Sequence, residues 1–343
     1  MASESTRRVA RGHSALHVCN WCVKETLANR AIACAENPRC GRETDPAIAA
    51  FGEGKAAVVV GGGPAGMTAS LLLAQAGYAV DLYEQRAALG GNLIASATPP
   101  GKEKLFWYHK FLLRRFALSR VRVWLNTRAD AEIIMQRQPH VVILATGARL
   151  APIALQHNGS LLVDAAYRVL LGDVRLPRGT IERPLVIYGG GETGAEVAEF
   201  LAAQGHQVLL VTRSGRDGIA RNSDRSYRKH LLARLHRNEA VRILDNTQVI
   251  SAADTGVVLR AASGESLAQP ASALLLAHGL RPDRTLADAL ASVFQQTGAE
   301  APMHVMSIGD ANEVARIGEA VRDAYQAVHA LRGLALGAEP LAC

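Results

Sequence analysis

Residues 56–84 of the chain read AAVVVGGGPAGMTASLLLAQAGYAVDLYE. Three valines at 58–60 form an apolar, β-branched run, which predicts a strand buried on both faces of a parallel sheet. A helix is predicted over residues 67–76, because the apolar stretch there ends at Gly77. A second strand is predicted over residues 79–83. The order strand, helix, strand predicts a βαβ unit, so we expect an α/β fold with a parallel sheet.

The turn between the first strand and the helix has the pattern G-x-G-x-x-G. Its first glycine permits a tight turn, its second lets the backbone approach a pyrophosphate, and its third lets the helix pack closely on the strand. Glu84, 18 residues after the last glycine, can accept hydrogen bonds from ribose hydroxyls. The alternative is a glycine-rich turn that binds nothing. We predict an adenine dinucleotide held by Gly61, Gly63, Pro64, Ala65, Gly66 and Glu84.

The same order of signals returns about 128 residues later in the chain. A strand is predicted over residues 186–188, and the motif GGGETG follows at 189–194. A helix is then predicted through Ala203, and a further strand over residues 208–211. A repeat at this distance predicts a second dinucleotide-binding unit.

The second strand of this repeat ends on Thr212 and Arg213, with no acidic residue. The missing carboxylate and the added guanidinium favour a ribose 2′-phosphate, and hence NADP(H) over NAD(H). The alternative is a simply solvated arginine. The predicted cofactor contacts of the second unit are Gly189, Gly191, Glu192, Thr193, Gly194 and Arg213.

Three shorter motifs follow predicted strands, at points where the backbone can pass close to a cofactor. A carboxylate at the C-terminal end of a parallel strand lies where doubly wound sheets bind ligands, so Asp310 is predicted to accept hydrogen bonds from a polyol. The predicted contacts in these motifs are Gly91 and Asn92, Thr146 and Gly147, and Gly309 and Asp310.

The composition is that of a globular chain, since 49% of its 343 residues are hydrophobic and 20% are charged. No apolar run approaches the roughly 20 residues of a membrane-spanning helix, so no membrane association is expected. The formal net charge of +7 suits an anionic ligand and does not by itself indicate nucleic acid. A basic stretch at residues 5–8 lacks the apolar region of an export signal, so a cytoplasmic location is expected. A mitochondrial transit peptide is the alternative.

Four of the five cysteines lie in the first 40 residues, at Cys19, Cys22, Cys34 and Cys40. A disulfide scaffold would not crowd cysteines in this way, and reduced thiolates in a cytosolic metal site fit better. No strong helical or strand period is present over residues 1–50, so this segment is predicted to be a loop. Three interpretations stay open from the residues: an iron–sulfur cluster, a structural zinc, and free cysteines.

Taken together, the motifs resemble those of flavoproteins with two dinucleotide-binding domains, over residues 55–334. The resemblance implies two Rossmann-like domains, with FAD in the first and NAD(P)H or a stray ADP in the second. It places Glu84 at the adenosine ribose and Asp310 at the ribityl or pyrophosphate region. The implied domains are a cysteine-rich iron–sulfur segment (1–44), a discontinuous FAD-binding domain (45–150 and 275–343) and an NAD(P)-binding domain (151–274).

The cysteines, LGGN at 89–92 and PGKE at 100–103 narrow the resemblance further. They are similar to the C-terminal half of the 2,4-dienoyl-CoA reductase and trimethylamine dehydrogenase group, relatives of old yellow enzyme. In that group an FMN-bearing (β/α)8 barrel precedes a four-cysteine [4Fe–4S] site. Cys19, Cys22 and Cys34 fall on three ligand positions. Glu25 and Thr26 stand where the family has another cysteine, and Cys40 is the candidate for the fourth ligand.

Only 18 residues precede Cys19, so the FMN barrel is expected on a separate subunit. The resemblance implies an oxidoreductase subunit that moves electrons between NAD(P)H, FAD and an iron–sulfur cluster, to or from that partner, in a hetero-oligomer. It suggests no general acid or base. Two alternatives stay open: a non-catalytic subunit of an amine or enoate dehydrogenase with a structural ADP, and a zinc-bearing interaction module fused to a flavin domain.

Overall fold

The computed structural model describes residues 19–297 and 304–336, which form two compact units. The basic stretch at 5–8 and Cys343 lie outside the described residues. The first unit contains residues 19–93, 104–149 and the described part of 281–336, and the second contains residues 94–103 and 150–280.

Residues 94–103 belong to the second unit although the chain on both sides of them belongs to the first. The sequence patterns do not mark this short excursion. The domain borders that the resemblance implies, at residues 44, 150 and 274, stay a prediction.

Helices and strands alternate along most of the chain, as expected for an α/β fold. The helices are α1 (Trp21–Leu27), α2 (Pro64–Gln75), α3 (Asn92–Ala97), α4 (Leu105–Ala117), α5 (Ala131–Gln136), α6 (Ala166–Leu170), α7 (Glu192–Ala203), α8 (Arg225–Arg237), α9 (Thr285–Thr297) and α10 (Ile317–Leu336). The strands are β1 (Ala56–Val60), β2 (Ala79–Tyr83), β3 (Arg122–Trp124), β4 (Val141–Leu144), β5 (Ala148–Leu150), β6 (Gln156–His157), β7 (Leu162–Ala165), β8 (Leu185–Tyr188), β9 (Val208–Val211), β10 (Val241–Leu244), β11 (Thr247–Ala253), β12 (Gly256–Ala261), β13 (Ser266–Pro270), β14 (Ala273–Leu276), β15 (Leu280–Pro282) and β16 (His304–Ser307).

The sheet of the first unit has five parallel strands in the order β16-β4-β1-β2-β3. Its central strands β1 and β4 are buried on both faces, which explains their continuous runs of valine, isoleucine and leucine. On one face α2 and α10 pack together through Met67, Val321 and Val328. On the other face Ile134 and Leu290, from α5 and α9, cover the sheet.

The sheet of the second unit repeats this plan with the order β10-β9-β8-β14-β7, again all parallel. Helices α6, α7 and α8 pack on one face of it. The opposite face is covered by an antiparallel sheet of β13, β12 and β11, with β6 at its edge. Sequence patterns did not predict this sheet, because only Val249, Ala252, Val257 and Leu259 of its three long strands reach the core.

The cysteine segment is not the continuous loop that the sequence predicted, because residues 21–27 form the helix α1. Local side chains stabilise it: the Trp21 indole donates a hydrogen bond to Glu25 (3.1 Å), and Arg30 binds the same carboxylate. Trp21 is buried and lies against α10, where the Arg322 guanidinium is 4.7 Å from the centre of its ring. The contact with α10 joins residues distant in sequence, so no local pattern revealed it.

No helix within the described ranges combines the length and the apolar character that a bilayer crossing requires.

Candidate dinucleotide-binding sites

The first glycine loop is closed too tightly for any side chain at two of its three motif positions. Gly61 has φ = 107°, and a Cβ there would collide with the carbonyl oxygen of Ala145. A Cβ on Gly66 would collide with the carbonyl oxygen of Gly61, because helix α2 starts directly over the end of β1. At Gly63, by contrast, a Cβ would meet no atom within 4 Å. The loop therefore leaves open the space in front of the helix start, where a pyrophosphate would lie.

Glu84 is fixed at the end of β2 beside this loop. Its buried carboxylate accepts hydrogen bonds from the backbone N–H groups of Gly62 (2.7 Å) and Arg86 (2.8 Å). A carboxylate has more acceptor sites than these two bonds occupy, so it can also accept from ribose hydroxyls. The position fits the predicted role of Glu84.

Gly309 and Asp310, which come much later in the chain, lie next to the first glycine loop. A Cβ on Gly309 would lie 2.8 Å from Cβ of Ala65, so the backbone passes close to the start of α2. Asp310 accepts a hydrogen bond from the N–H of Ala315 (3.1 Å), and burial raises the pKa of its carboxyl group. The structure thus brings the glycine loop and the Gly-Asp motif together.

The sequence missed Asp323, which holds this motif in position. From α10 its carboxylate accepts hydrogen bonds from the Gly309 N–H (2.7 Å) and the Asn312 side chain (3.4 Å). An aspartate inside a long amphipathic helix gives no local signal for such a role.

The remaining predicted contacts of the first unit also lie beside strand ends. A Cβ on Gly91 would lie 2.9 Å from Cα of Gly63, which brings the Gly91–Asn92 turn against the glycine loop. The Thr146 hydroxyl donates to the carbonyl oxygen of Asp283 (3.0 Å), and a Cβ on Gly147 would meet nothing within 4 Å. The turn at Gly147 therefore leaves free space where a cofactor would pass.

The second glycine loop reproduces the first in detail. Gly189 has φ = 127°, and a Cβ there would collide with the carbonyl oxygen of Ala277. A Cβ on Gly194 would collide with the carbonyl oxygen of Gly189, and one on Gly191 would meet nothing within 4 Å. The repeat seen in the sequence is therefore also a repeat of backbone geometry.

Thr212 takes the place that Glu84 has in the first unit. A Cβ on Gly62 would lie 3.0 Å from the Glu84 carboxylate, and one on Gly190 would lie 2.6 Å from the Thr212 hydroxyl oxygen. That hydroxyl is 3.0 Å from the hydroxyl of Ser214. The second site thus replaces a carboxylate by two hydroxyl groups, which do not repel a phosphate.

Exposed arginines follow Thr212, and one partly buried arginine shapes their loop. Arg213 and Arg216 are exposed. Arg228, on α8, donates to the carbonyl oxygens of Ile219 (2.8 Å) and Asp217 (2.7 Å) and so holds the loop between β9 and α8.

Glu192 starts helix α7 in front of the second loop and is held by Lys102. The Lys102 ammonium lies 3.0 Å from the Glu192 carboxylate and also binds the buried carboxylate of Glu196. The Tyr227 hydroxyl donates to Glu196 (2.7 Å), and burial raises the pKa of Glu196 although Lys102 opposes this. Thr193, beside Glu192, is exposed.

The four predicted metal ligands form no disulfide with one another and are not gathered into a ligand set. Cys19 is exposed, and Cys22, Cys34 and Cys40 are half-buried. Burial raises the pKa of the Cys40 thiol, as do nearby Cys34, Glu43 and Cys22. No three His, Cys, Asp or Glu side chains within residues 19–297 and 304–336 form a group that could hold a metal ion. The donor chemistry fits an iron–sulfur cluster, and the ligand assignment stays a prediction.

The family model for pyridine nucleotide-disulphide oxidoreductases matches residues 55–324. The chain belongs to this family. Its predicted fold class and its predicted class of enzyme, a flavin-dependent pyridine-nucleotide oxidoreductase, are thereby confirmed. FAD and NAD(P) are accordingly the cofactors of its two Rossmann-like units. Residues 55–324 contain no cysteine, so the matched region has no redox disulfide.

Relatives confirm the predicted resemblance to the flavin and nucleotide half of larger oxidoreductases. The bilirubin reductase of Mediterraneibacter gnavus is 31% identical over 316 residues, which are 92% of this chain and 47% of that protein. The structure of a 2-naphthoyl-CoA reductase matches 93% of this chain and 47% of its own, with 25% identity and a TM-score of 0.81. Histamine dehydrogenase from Rhizobium sp. 4-9 shares the fold, with a TM-score of 0.78 and 21% identity over 94% of this chain and 52% of its own. The chain spans about half the length of these relatives.

Proposed function

We propose that this chain carries electrons between NAD(P)H, FAD and a [4Fe–4S] cluster, and exchanges them with a separate flavoprotein partner. The observation that carries the proposal is the repeated loop geometry. Gly63 and Gly191 each face open space at the start of a helix, beside a fixed acceptor group. One chain therefore has two sites of the kind that holds an adenine dinucleotide.

The chemistry of the proposed carriers explains why they belong together. NAD(P)H supplies a hydride, an iron–sulfur cluster passes one electron at a time, and a flavin can do both. The residues of this chain bind and orient: Glu84 would hold the FAD ribose, and Asp310 would accept from its polyol. The positions of Gly61, Gly63, Gly66, Glu84 and Asp310 support this assignment.

NADPH is the proposed reductant rather than NADH. Thr212 and Ser214 place hydroxyl groups where the first unit has the Glu84 carboxylate, and exposed Arg213 and Arg216 follow. A 2′-phosphate would meet positive charge there instead of repulsion.

The partner is proposed to be an FMN-bearing barrel subunit in a hetero-oligomer. The relatives are about twice as long as the matched half, and their names include both a reductase and a dehydrogenase, so electron flow in either direction is chemically reasonable. A cytoplasmic location, predicted from the crowding of the cysteines in the sequence, is part of the proposal.

The cluster is the part of the proposal with the sharpest test. The chain is reconstituted anaerobically with iron and sulfide, and NADPH is then added while the paramagnetic resonance spectrum is recorded. The spectrum of a reduced [4Fe–4S] cluster is expected in the wild type and not in Cys34→Ser. A protein that takes up zinc, or takes up no iron, would contradict the proposal and favour the interaction module. Cluster reduction by dithionite but not by NADPH would instead favour a structural ADP in the second unit.

A further inference from the structure

The two glycine loops differ at the first residue of the helix that follows. Helix α2 begins at Pro64, and helix α7 begins at Glu192. The start of a helix attracts anions, because its first N–H groups are unpaired and its dipole is positive there. A carboxylate at this point would repel the phosphates of a dinucleotide. The second site therefore needs a group that compensates Glu192.

Lys102 lies in the position to compensate it. Its ammonium is 3.0 Å from the Glu192 carboxylate, and it also binds Glu196, one turn further along α7. The ammonium lies 4.6 Å from the centre of the Tyr227 ring, and only 19% of the Lys102 side chain is exposed. A charge pair this sheltered is screened less than one at the surface.

The neighbouring cation on this face of α7 is already paired with a different carboxylate. Arg234, from α8, pairs with Glu199. Lys102 comes from the excursion at residues 94–103, which belongs to the second unit while its flanks belong to the first. The excursion thus brings the compensating charge to the start of α7.

We infer that Lys102 is the counter-ion of Glu192 and thereby lets the start of α7 accept the pyrophosphate of the nicotinamide dinucleotide. Lys102 is a positioning residue, since it acts on the ligand through the carboxylate that it neutralises. The inference rests on the proposed function, namely that the second unit binds NADP(H) or NAD(H).

The test measures NADP⁺ and NAD⁺ binding to the flavin-loaded full chain by calorimetry. Lys102→Met is expected to raise the dissociation constant about tenfold, or about 1.4 kcal/mol. Lys102→Met/Glu192→Gln is expected to restore it to within about twofold of the wild type, because the repelling charge is gone. Lys104→Met removes an exposed lysine two residues away and is the matched control. Added salt should reduce the effect of Lys102→Met.

Each possible result of these binding measurements either supports or contradicts the inference. Unchanged affinity in Lys102→Met would overturn the inference, and so would a double variant as weak as the single one. If Lys102→Met does not fold, Glu192→Gln alone serves as the test: it should bind the dinucleotide at least as tightly as the wild type, and weaker binding would contradict the inference. A wild-type chain that binds neither dinucleotide would refute the proposed function itself, whereas normal wild-type binding with an unaffected Lys102→Met would refute only the counter-ion role.

Discussion

Gly63 and Gly191 are equivalent residues, and each would direct a side chain into the space where its dinucleotide is expected. Their φ angles, −77° and −66°, are ordinary for any residue. A larger residue at either position therefore fills ligand space without straining the backbone. This makes the two glycines separate probes of the two sites.

Gly63→Val should yield folded protein with little or no FAD, and Gly191→Val should retain FAD but lose NAD(P)H binding by more than about 100-fold. Flavin content after purification and calorimetric titration with NADP⁺ measure the two effects. The variants control for each other, because each should leave the other site intact. Loss of FAD in Gly191→Val, or full FAD content in Gly63→Val, would contradict the assignment of the sites.

At the level of single residues, the sequence predicted the site residues that belong to a local motif. The glycine spacing and Glu84 could be identified because the dinucleotide-binding βαβ motif has them in a fixed order. Asp323 and Lys102 could not, since each acts on a residue distant in the sequence. Asp323 belongs to no motif, and the PGKE motif that contains Lys102 gives no local sign of the carboxylate on α7 that it binds. Occupancy of the predicted sites stays a prediction.

Among the elements, helix α10 contacts both the Gly309–Asp310 motif, through Asp323, and the cysteine segment, through Arg322. Gly318 on this helix lies under the Trp21 ring, and a Cβ at 318 would overlap that ring. Gly318 is the second residue of α10, where alanine is favoured over glycine by less than the roughly 1 kcal/mol of a helix interior. Overpacking costs about 1–3 kcal/mol, so the clash should dominate.

Gly318→Ala is therefore expected to loosen the cysteine segment in the wild type. Limited trypsin digestion should cut faster after the exposed residues Lys24 and Arg30. With Trp21→Ala as background, the clash is removed and the same substitution should raise the free energy of unfolding by up to about 1 kcal/mol. The same destabilisation in both backgrounds would contradict the docking of Trp21 on α10.

His329, on α10, is expected to make the free energy of unfolding depend on pH. The side chain is buried, its ring centre is 4.3 Å from that of Tyr325, and its Nε2 has no hydrogen-bond partner within the described residues. Burial lowers the pKa of His329 below the ordinary 6.5; nearby Asp45 opposes this, while Arg332, Arg39 and Arg42 act with it.

Because the folded state disfavours protonated His329, the unfolded chain binds more protons below about pH 6.5. The free energy of unfolding should therefore fall as the pH is lowered through that range, by at most about 1.4 kcal/mol per pH unit from this group. Urea unfolding at about pH 7.5 and about pH 5.5 measures it. His329→Phe should reduce the loss on acidification, and His236→Gln, an exposed position on α8, should not. Equal losses in wild type and His329→Phe would exclude the role.

For the whole molecule, the repeated α/β plan was predictable and the additions to it were not. Strands β2 and β9 have the predicted bounds, because a buried parallel strand is a continuous apolar run between turn residues. The antiparallel sheet and helix α1 were missed, since tertiary contacts stabilise both. No sequence pattern predicts that residues 94–103 belong to the second unit while the chain on both sides of them belongs to the first.

The central claim is that FAD and NAD(P)H occupy the two equivalent loops of one chain, so that reducing equivalents pass between them. The most direct measurement is anaerobic addition of NADPH, and separately NADH, to the purified flavin-loaded protein while its visible absorbance is followed. The flavin absorbance should bleach rapidly, and faster with NADPH. A bound flavin that stays oxidised with both nucleotides, yet bleaches with dithionite, would contradict the claim.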